Sequence, residues 1–305
     1  MNLWFGVLGM FAGLVVLSVA CDGRSSSSDV VIERDVVYGI VDGHKLTLDV
    51  AYGEDLAAPV PAIVHIHGGA WLGGEKSAEM AIMCAEAGYV GVSINYRLSG
   101  VALFPAGVHD CKRAIRWVRA HAKRYRIDPE RIGVMGSSAG GHLVALLGTS
   151  GEDPYLEGDE GYLEYSSRVQ AVVDHFGPTD FLRMNDVPGS IDHLAEDSPE
   201  SLWLGGPIEE LPDRVKRANP ITYIDNEDPP ILIVHGEKDQ LVIIGQSELF
   251  YDALRRAGVR TEFVRVKNAG HGYRAIPEGA TVEPGLEEIK RLQMEWFGEV
   301  LGRTE

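Results

Sequence analysis

The run Gly-Ser-Ser-Ala-Gly at 136–140 constrains this chain more than any other feature. It follows an apolar run, 132–135, that reads as a buried strand, and it precedes a helix-like stretch, 142–147. The central serine of Gly-x-Ser-x-Gly, placed between a strand and a helix, sits on a sharp turn that exposes its hydroxyl. Glycines on either side leave room for that turn. The motif predicts an exposed Ser138, whereas its neighbour Ser137 does not fit the frame.

A serine hydroxyl becomes a good nucleophile only when a base takes its proton, and that base is usually a histidine oriented by a carboxylate. His271 stands between two glycines after an alternating strand pattern at 261–266. Asp239 lies in the loop after an apolar run at 231–234. The order Ser138, Asp239, His271 is nucleophile, acid, base, as in the fold that uses this serine turn. The sequence therefore predicts a serine hydrolase with these catalytic residues.

A fourth element, His-Gly-Gly-Ala-Trp at 67–71, directly follows an apolar strand pattern at 62–66. Acyl transfer develops a negatively charged oxygen that needs preorganised N–H donors. Two adjacent glycines free the backbone to turn its N–H groups inward. We expect the N–H groups of Gly69, Ala70 and Ala139 to form this oxyanion hole.

Each of these elements has an ordinary alternative. Ser138 could be a turn serine, since serine and glycine are common in loops, and His271 could be a surface histidine. Asp239 could be a solvated loop acid, with Glu237 and Asp180 as rivals for the catalytic acid. The occurrence of four elements in the expected order favours the catalytic interpretation.

His65 and His67 lie on one face of a predicted strand and raise the question of a metal. No third ligand follows at a useful spacing, so we favour sheet packing for His65 and loop ordering for His67. The spacing of Cys, His and acidic residues predicts no metal and no cofactor.

Together the motifs resemble the α/β-hydrolase superfamily, and more narrowly the bacterial feruloyl-esterase-like and acetyl-esterase group, which is related to hormone-sensitive-lipase-type esterases. This resemblance covers about 37–301 and implies a mostly parallel twisted sheet with helices on both faces and a small lid insertion. Ala70 stands where lipase-type relatives often have a third glycine, which implies tighter access above the loop. Further matching motifs are Asn-Tyr-Arg-Leu (95–98), Phe-Pro-Ala (104–106), Asp-Cys-Lys-Arg-Ala-Ile-Arg-Trp-Val-Arg (110–119), Ile-Asp-Pro-Glu-Arg-Ile (127–132), Asn-Pro-Ile-Thr-Tyr-Ile (219–224), His-Gly-Glu-Lys-Asp (235–239) and Gly-His-Gly-Tyr (270–273).

The order of local patterns agrees with this fold class. A hairpin pattern over 33–52, with its turn at Asp42 and Gly43, precedes alternating strand and helix patterns. Segment 181–219 breaks the alternation and is the expected lid. In it Trp203, like Trp71 of the oxyanion loop, could line a substrate pocket or could anchor its segment to the core. Strands are expected near 62–67, 90–95, 131–136, 169–175, 230–235 and 261–266.

Two cysteines fall in predicted helices, Cys84 in 78–87 and Cys111 in 108–125. In the resembled fold these helices cover opposite faces of the sheet, so we expect two buried thiols and no disulfide.

The chain has 305 residues and a formal charge of −17. A chain of this length can form a single large domain, and we expect one catalytic domain over 33–305. The acidic balance argues against nucleic-acid binding, which needs a basic surface, and against docking on anionic membranes. The family resemblance implies a small-molecule or polysaccharide-linked ester as the partner, and the oligomeric state is left open.

The first residues carry a targeting pattern. Residues 3–20 are uncharged and largely apolar, and they end at Ala20-Cys21, before a polar linker at 22–32. Small residues before a cysteine resemble a bacterial lipoprotein signal, which implies lipidation of Cys21 and removal of the preceding residues. A retained membrane anchor is the alternative. Either way, we expect an exported protein, periplasmic or at the cell surface.

The family resemblance implies a serine carboxylic ester hydrolase acting on short-chain, acetyl or aryl esters, including those of plant polysaccharide. One alternative is an aryl-formamidase-like amide hydrolase, because His-Gly-Gly-Ala-Trp at 67–71 also resembles a loop of kynurenine formamidases. Another is a non-catalytic binding protein on a hydrolase scaffold.

Overall fold

An antiparallel hairpin opens the part of the chain that the computed structural model describes, residues 29–151 and 153–302. Its strands are β1, Val30–Val41, and β2, His44–Gly53. The turn uses Asp42 and Gly43 with φ of 49° and 78°, as a tight two-residue hairpin requires. The predicted hairpin is confirmed, although β1 begins at Val30 because Val30 pairs with the end of β2. Residues 30–32, assigned to the linker by composition, therefore belong to the sheet.

The predicted signal segment 1–21, with Cys21, lies outside the described residues and stays a prediction. Among the helices of 29–151 and 153–302, none combines the length and apolarity needed to cross a membrane.

Eight strands of the described chain form one sheet in the order β1-β2-β4-β3-β5-β6-β7-β8. β2 pairs antiparallel with β1 and β4, and the strands from β3 to β8 pair in parallel. Their apolar runs are explained by burial on both faces of the sheet. The parallel strands are β3 (Val60–Ile66), β4 (Val90–Ile94), β5 (Ile127–Ser137), β6 (Ala171–His175), β7 (Ile231–Gly236) and β8 (Thr261–Val266).

Helices cover both faces of the sheet, as the predicted α/β-hydrolase fold requires. The predicted helix 108–125 is interrupted at His121, whose φ of −101° and ψ of 10° leave the helical region. The helices described are α1 (Ala78–Glu86), α2 (Ala106–Ala120), α3 (Ala122–Tyr125), α4 (Ala139–Thr149), α5 (Pro154–Glu157), α6 (Pro199–Leu204), α7 (Pro212–Ala218), α8 (Gly245–Ala257) and α9 (Leu286–Leu301).

The sheet separates two buried apolar clusters. Val64 of β3 belongs to the cluster covered by α2, α4 and α8, and its neighbour Ile63 belongs to the cluster covered by α1 and α9. This alternation follows from the two-residue period of a strand. Cys111 lies in the first cluster and Cys84 in the second, both as buried free thiols. The prediction of two thiols on opposite faces is confirmed.

The insertion at 181–219 follows β6 and contains α6, α7 and short 3₁₀ turns. Its ends are joined because the Asn219 side chain accepts a hydrogen bond from Phe181 N–H at 3.1 Å and donates one to the Asp180 carboxylate at 3.1 Å. We call this segment the insert below.

Candidate active site

The predicted nucleophile lies on a strained turn. Ser138 connects β5 to α4 with φ of 56° and ψ of −122°, a backbone conformation that non-glycine residues rarely adopt. A Cβ atom added at Gly136 would collide with the carbonyl of Gly140, and one added at Gly140 would collide with the carbonyl of Ile66. The two glycines of the motif are therefore needed for close packing of the turn. The geometry is that of the strand–turn–helix expected around Ser138.

The structure brings Ser138, His271 and Asp239 together. The distance from His271 Nε2 to Ser138 Oγ is 3.1 Å, and the distance from His271 Nδ1 to Asp239 Oδ2 is 2.8 Å. Because a carboxylate can only accept, Nδ1–H donates to Asp239, and Nε2 is left with the lone pair that faces the serine hydroxyl. The Asp239 side chain is fully buried and that of His271 is 26% exposed. This arrangement can pass a proton from Ser138 to His271.

The rival acids lie elsewhere. The Asp180 carboxylate accepts a hydrogen bond from the side chain of Asn219, at the base of the insert. Glu237 is exposed to solvent. Of the three candidates, only Asp239 has a hydrogen bond to the imidazole of His271.

The loop after β7 holds the Asp239 carboxylate in place. Oδ1 accepts the N–H groups of Leu241 at 2.9 Å and Val242 at 3.0 Å. Burial acts to raise the pKa of Asp239, but hydrogen bonds from His235 and His271 outweigh it and hold the pKa well below its usual range. Asp239 is therefore ionised near neutral pH, which favours the charged imidazolium that forms when His271 takes a proton.

Phe176, which belongs to none of the sequence motifs, packs against the histidine. Phe176 directly follows β6 with φ of 47°, and its ring packs edge-on against the imidazole of His271, 4.8 Å between centroids. The preceding carbonyl, of His175, accepts the N–H of Ser138 at 2.9 Å. The end of β6 thus positions both Ser138 and His271. No local motif marks this role, because both contacts join residues that are distant in the chain.

The predicted oxyanion loop lies against the nucleophile turn. Gly68 packs so closely on the carbonyl of Ser137 that an added Cβ would lie 2.5 Å from that oxygen. Gly69 and Ala70 have φ of 118° and 57°, and within the described chain their N–H groups have no hydrogen-bond partner. Ala139 is the first residue of α4, so its N–H also precedes the intrahelical hydrogen bonds. The three predicted donors therefore belong to two backbone segments that meet beside Ser138.

The histidines of β3 and its loop have the roles expected for them. The ring of His67 stacks on Tyr96 at 4.4 Å, and the Tyr96 hydroxyl donates to the His67 carbonyl at 3.1 Å. His65 Nδ1 lies 3.0 Å from Ser93 Oγ, and burial lowers the pKa of His65 to about 3. His67 thus orders the start of the oxyanion loop, and His65 packs in the sheet as a neutral side chain.

The suggestion that Trp71 and Trp203 line a substrate pocket is wrong. Trp71 is 2% exposed and Trp203 is fully buried, with their rings stacked 4.8 Å apart. The alternative interpretation, that each anchors its segment to the core, describes their positions. The neighbouring Leu202 is 42% exposed.

The insert is also joined to the loop that carries the acid. Ser190 N–H donates to the Gln240 carbonyl at 2.6 Å, and His193 Nε2 donates to the Leu241 carbonyl at 2.8 Å. His193 Nδ1 lies 3.0 Å from the buried carboxylate of Glu200. Burial acts to lower the pKa of His193, but contacts with Glu200 and the Leu241 carbonyl outweigh burial and raise it. These contacts of Ser190 and His193 tie the insert to the loop after β7.

A serine between β5 and α4, an acid after β7 and a histidine after β8, on a mostly parallel sheet, define an α/β-hydrolase. The BD-FAE family model matches residues 48–254, and the chain belongs to this family.

Two relatives of this chain have names that describe ester hydrolases. The chain is 34% identical over 275 residues to Esterase LipQ of Mycobacterium tuberculosis, a match that covers 88% of this chain and 62% of LipQ. It is also 34% identical to the probable carboxylic ester hydrolase LipM of the same organism, over 80% of this chain and 62% of LipM. The chain thus spans about three fifths of the length of these relatives.

Two esterases of known structure match nearly the whole of this chain over nearly the whole of their own length. A truncated form of a carbohydrate esterase from gut microbiota matches with a TM-score of 0.78 and 32% identity, covering 92% of this chain and 99% of that one. Est2 of Thermogutta terrifontis, a thermophilic esterase, matches with a TM-score of 0.71 and 28% identity, covering 92% and 94%. Its propionate-bound form matches with the same TM-score and 29% identity, covering 92% and 97%.

Proposed function

We propose that this chain is a serine carboxylic ester hydrolase with Ser138 as nucleophile, His271 as base and Asp239 as acid. The observation that carries the proposal is the continuous set of hydrogen bonds from Ser138 Oγ through His271 to the buried Asp239 carboxylate. The esterase names of LipQ, the gut carbohydrate esterase and Est2 support the same reaction class. An intact set of these residues disfavours a purely binding role.

In the first half of the reaction, His271 Nε2 takes the proton of Ser138 Oγ as this oxygen attacks the ester carbonyl. Asp239 stabilises the imidazolium and keeps Nδ1 protonated. The carbonyl oxygen becomes negative, and the N–H groups of Gly69, Ala70 and Ala139 stabilise it. A single donor of this kind is worth about 10²–10³ in kcat in other hydrolases.

Acylation is completed when the imidazolium of His271 gives its proton to the alcohol oxygen, and the C–O bond to that alcohol breaks. An acyl group remains on Ser138. Water then attacks the acyl carbonyl while His271 takes its proton, and collapse of the second tetrahedral intermediate returns the serine proton and releases the acid.

We further propose short acyl groups, acetyl to butyryl, as the preferred acid part of the substrate. Ala70 has a methyl group where a third glycine would have none, so we expect less space above the oxyanion loop. Trp203 of the insert lies in the core and does not open a groove. The propionate-bound form of Est2 is a short-acid complex of a related fold. The resemblance to a carbohydrate esterase favours acetyl or aryl esters on sugars as the natural form.

A series of p-nitrophenyl esters from two to twelve carbons tests this proposal. We expect kcat/KM to be highest at two to four carbons and at least tenfold lower at twelve. In a long apolar pocket each added CH₂ would instead contribute about 0.8 kcal/mol, or about fourfold in kcat/KM. A maximum at eight carbons or longer would contradict the short-acyl proposal, and turnover of N-formylkynurenine in preference to every ester would favour the amide-hydrolase alternative.

A further inference from the structure

The oxyanion loop has an unusual backbone that needs outside support. Gly69, Ala70 and Trp71 have consecutive positive φ values of 118°, 57° and 58°. Two of these residues are not glycine, and such conformations persist only where the surrounding structure holds them. The direction of the Gly69 and Ala70 N–H groups depends on these angles, so whatever holds Trp71 also aims the donors.

Contacts of both its backbone carbonyl and its indole ring hold Trp71 in place. Its carbonyl accepts hydrogen bonds from Ser99 N–H at 2.9 Å and Ser99 Oγ at 3.0 Å. Its indole stacks face to face on Trp203, with centroids 4.8 Å apart and planes inclined by 16°. Trp203 belongs to α6, in the insert, and is 132 positions further along the chain. A residue of the insert therefore fixes the side chain that ends the oxyanion loop.

Trp203 also touches the second segment that carries a donor. Its ring meets the ring of His142 edge-on, with centroids 5.2 Å apart and planes at 89°. His142 lies on α4, three positions after Ala139, and its Nε2 donates to the carbonyl of Ala218 at the other end of the insert. Trp203 thus packs on both the loop that carries two predicted donors and the helix that carries the third, where Trp71 and His142 also meet each other edge-on at 5.2 Å.

Trp203 itself has little freedom. It is fully buried, Phe104 packs edge-on against its ring at 4.9 Å, and Phe104 N–H donates to its carbonyl at 3.0 Å. The helix α6 is capped at its start by Ser198, whose side chain accepts the N–H of Ser201, and at its end by Gly205 with φ of 84°. A short, capped helix of this kind presents Trp203 at a defined height and angle.

We propose that Trp203 is a positioning residue for the oxyanion hole. By packing on Trp71 and His142, it sets the spacing between the N–H groups of Gly69 and Ala70 and that of Ala139. This inference rests on the proposed ester hydrolysis. It assigns the insert a catalytic task other than covering the site, because removal of the indole would let the strained loop relax while Ser138, His271 and Asp239 remain in contact.

The test is Trp203→Leu, which keeps an apolar side chain but removes the stacking surface. We expect kcat for p-nitrophenyl acetate to fall at least tenfold while KM stays within twofold, because the donors act on the transition state. Phenylboronic acid, which forms a tetrahedral adduct on a catalytic serine, should bind more weakly by the same factor. Trp203→Phe keeps an aromatic face and should recover kcat to within fivefold of the parent chain.

Trp117→Leu is the matched control. Trp117 is also a buried tryptophan, 2% exposed, and stacks on His121 of the α2–α3 junction at 4.2 Å. This replacement should lower thermal stability in a similar way but leave kcat within twofold. Circular dichroism at the assay temperature shows whether each variant is folded.

Three outcomes would overturn the proposal: a folded Trp203→Leu with kcat within twofold of the parent, an equal loss of kcat in Trp117→Leu, or unchanged affinity for phenylboronic acid. Should Trp203→Leu fail to fold, Trp203→Phe and Trp117→Phe decide the question, since the proposal requires kcat two- to fivefold below the parent in the first and within twofold of the parent in the second. Absence of esterase activity in the parent chain would instead defeat the proposed function itself.

Discussion

Replacing Ser138 by alanine is expected to lower kcat for p-nitrophenyl acetate by about 10⁶, the loss typical when a hydrolase loses its nucleophile. The reason is that Ser138 Oγ is the atom that bonds to the acyl carbon, and His271 then has no hydroxyl to activate. Steady-state kinetics measures the loss. The fold should survive, because alanine is no larger than serine and the turn at Ser138 is held by the His175 carbonyl.

Ser137→Ala is the control for this prediction. Ser137 ends β5 and shares the Ser-Ser pair, but its side chain has no assigned role, so we expect kcat within about tenfold of the parent. Full activity in Ser138→Ala together with loss of activity in Ser137→Ala would show that Ser137, and not Ser138, is the nucleophile.

Asp239→Asn is expected to lower kcat by about 10⁴. An amide keeps the size of the side chain but removes the charge that stabilises the imidazolium of His271, and its NH₂ group would favour the wrong imidazole tautomer. KM should change much less than kcat. The rate of acylation, measured as the first-turnover burst of p-nitrophenol, locates the loss in the chemical step.

Asp180→Asn provides the comparison for the acid. Asp180 is bonded to Asn219 at the base of the insert, so the change should reduce stability modestly and leave kcat within about tenfold. A larger loss of kcat in Asp180→Asn than in Asp239→Asn would show that Asp180, in the loop after β6, is the catalytic acid.

The parallel sheet and the three central residues could be predicted from the sequence because their signals are local. Strands buried on both faces read as continuous apolar runs, as in β7, and the serine turn has its glycines within five residues. Asp239 and His271 stand in loops directly after such strands, where parallel sheets bring their active residues together. Because the strands before these loops run in the same direction, the loops meet at one edge of the sheet. Ser138 is thereby brought together with Asp239 and His271, which lie more than 100 positions further along the chain.

Features that depend on distant contacts could not be predicted in this way. From the sequence, Trp71 and Trp203 could line a substrate pocket or pack in the core. The fold shows that their rings stack on each other in the core. The packing of Phe176 on His271 has no local pattern at all. The last helix, α9, is a different case, because it is absent from the expected elements although its apolar residues recur at helical spacing and its Trp296 and Phe297 pack on one face of the sheet.

The central claim, that Ser138 is the activated nucleophile of this chain, is tested most directly by covalent labelling. After treatment with diisopropyl fluorophosphate at neutral pH, intact-mass spectrometry should show one phosphoryl adduct per chain. Peptide mapping should place that adduct on Ser138, and Ser138→Ala should remain unlabelled under the same conditions. An adduct on any other residue, or no adduct on a folded chain that hydrolyses esters, would contradict the account.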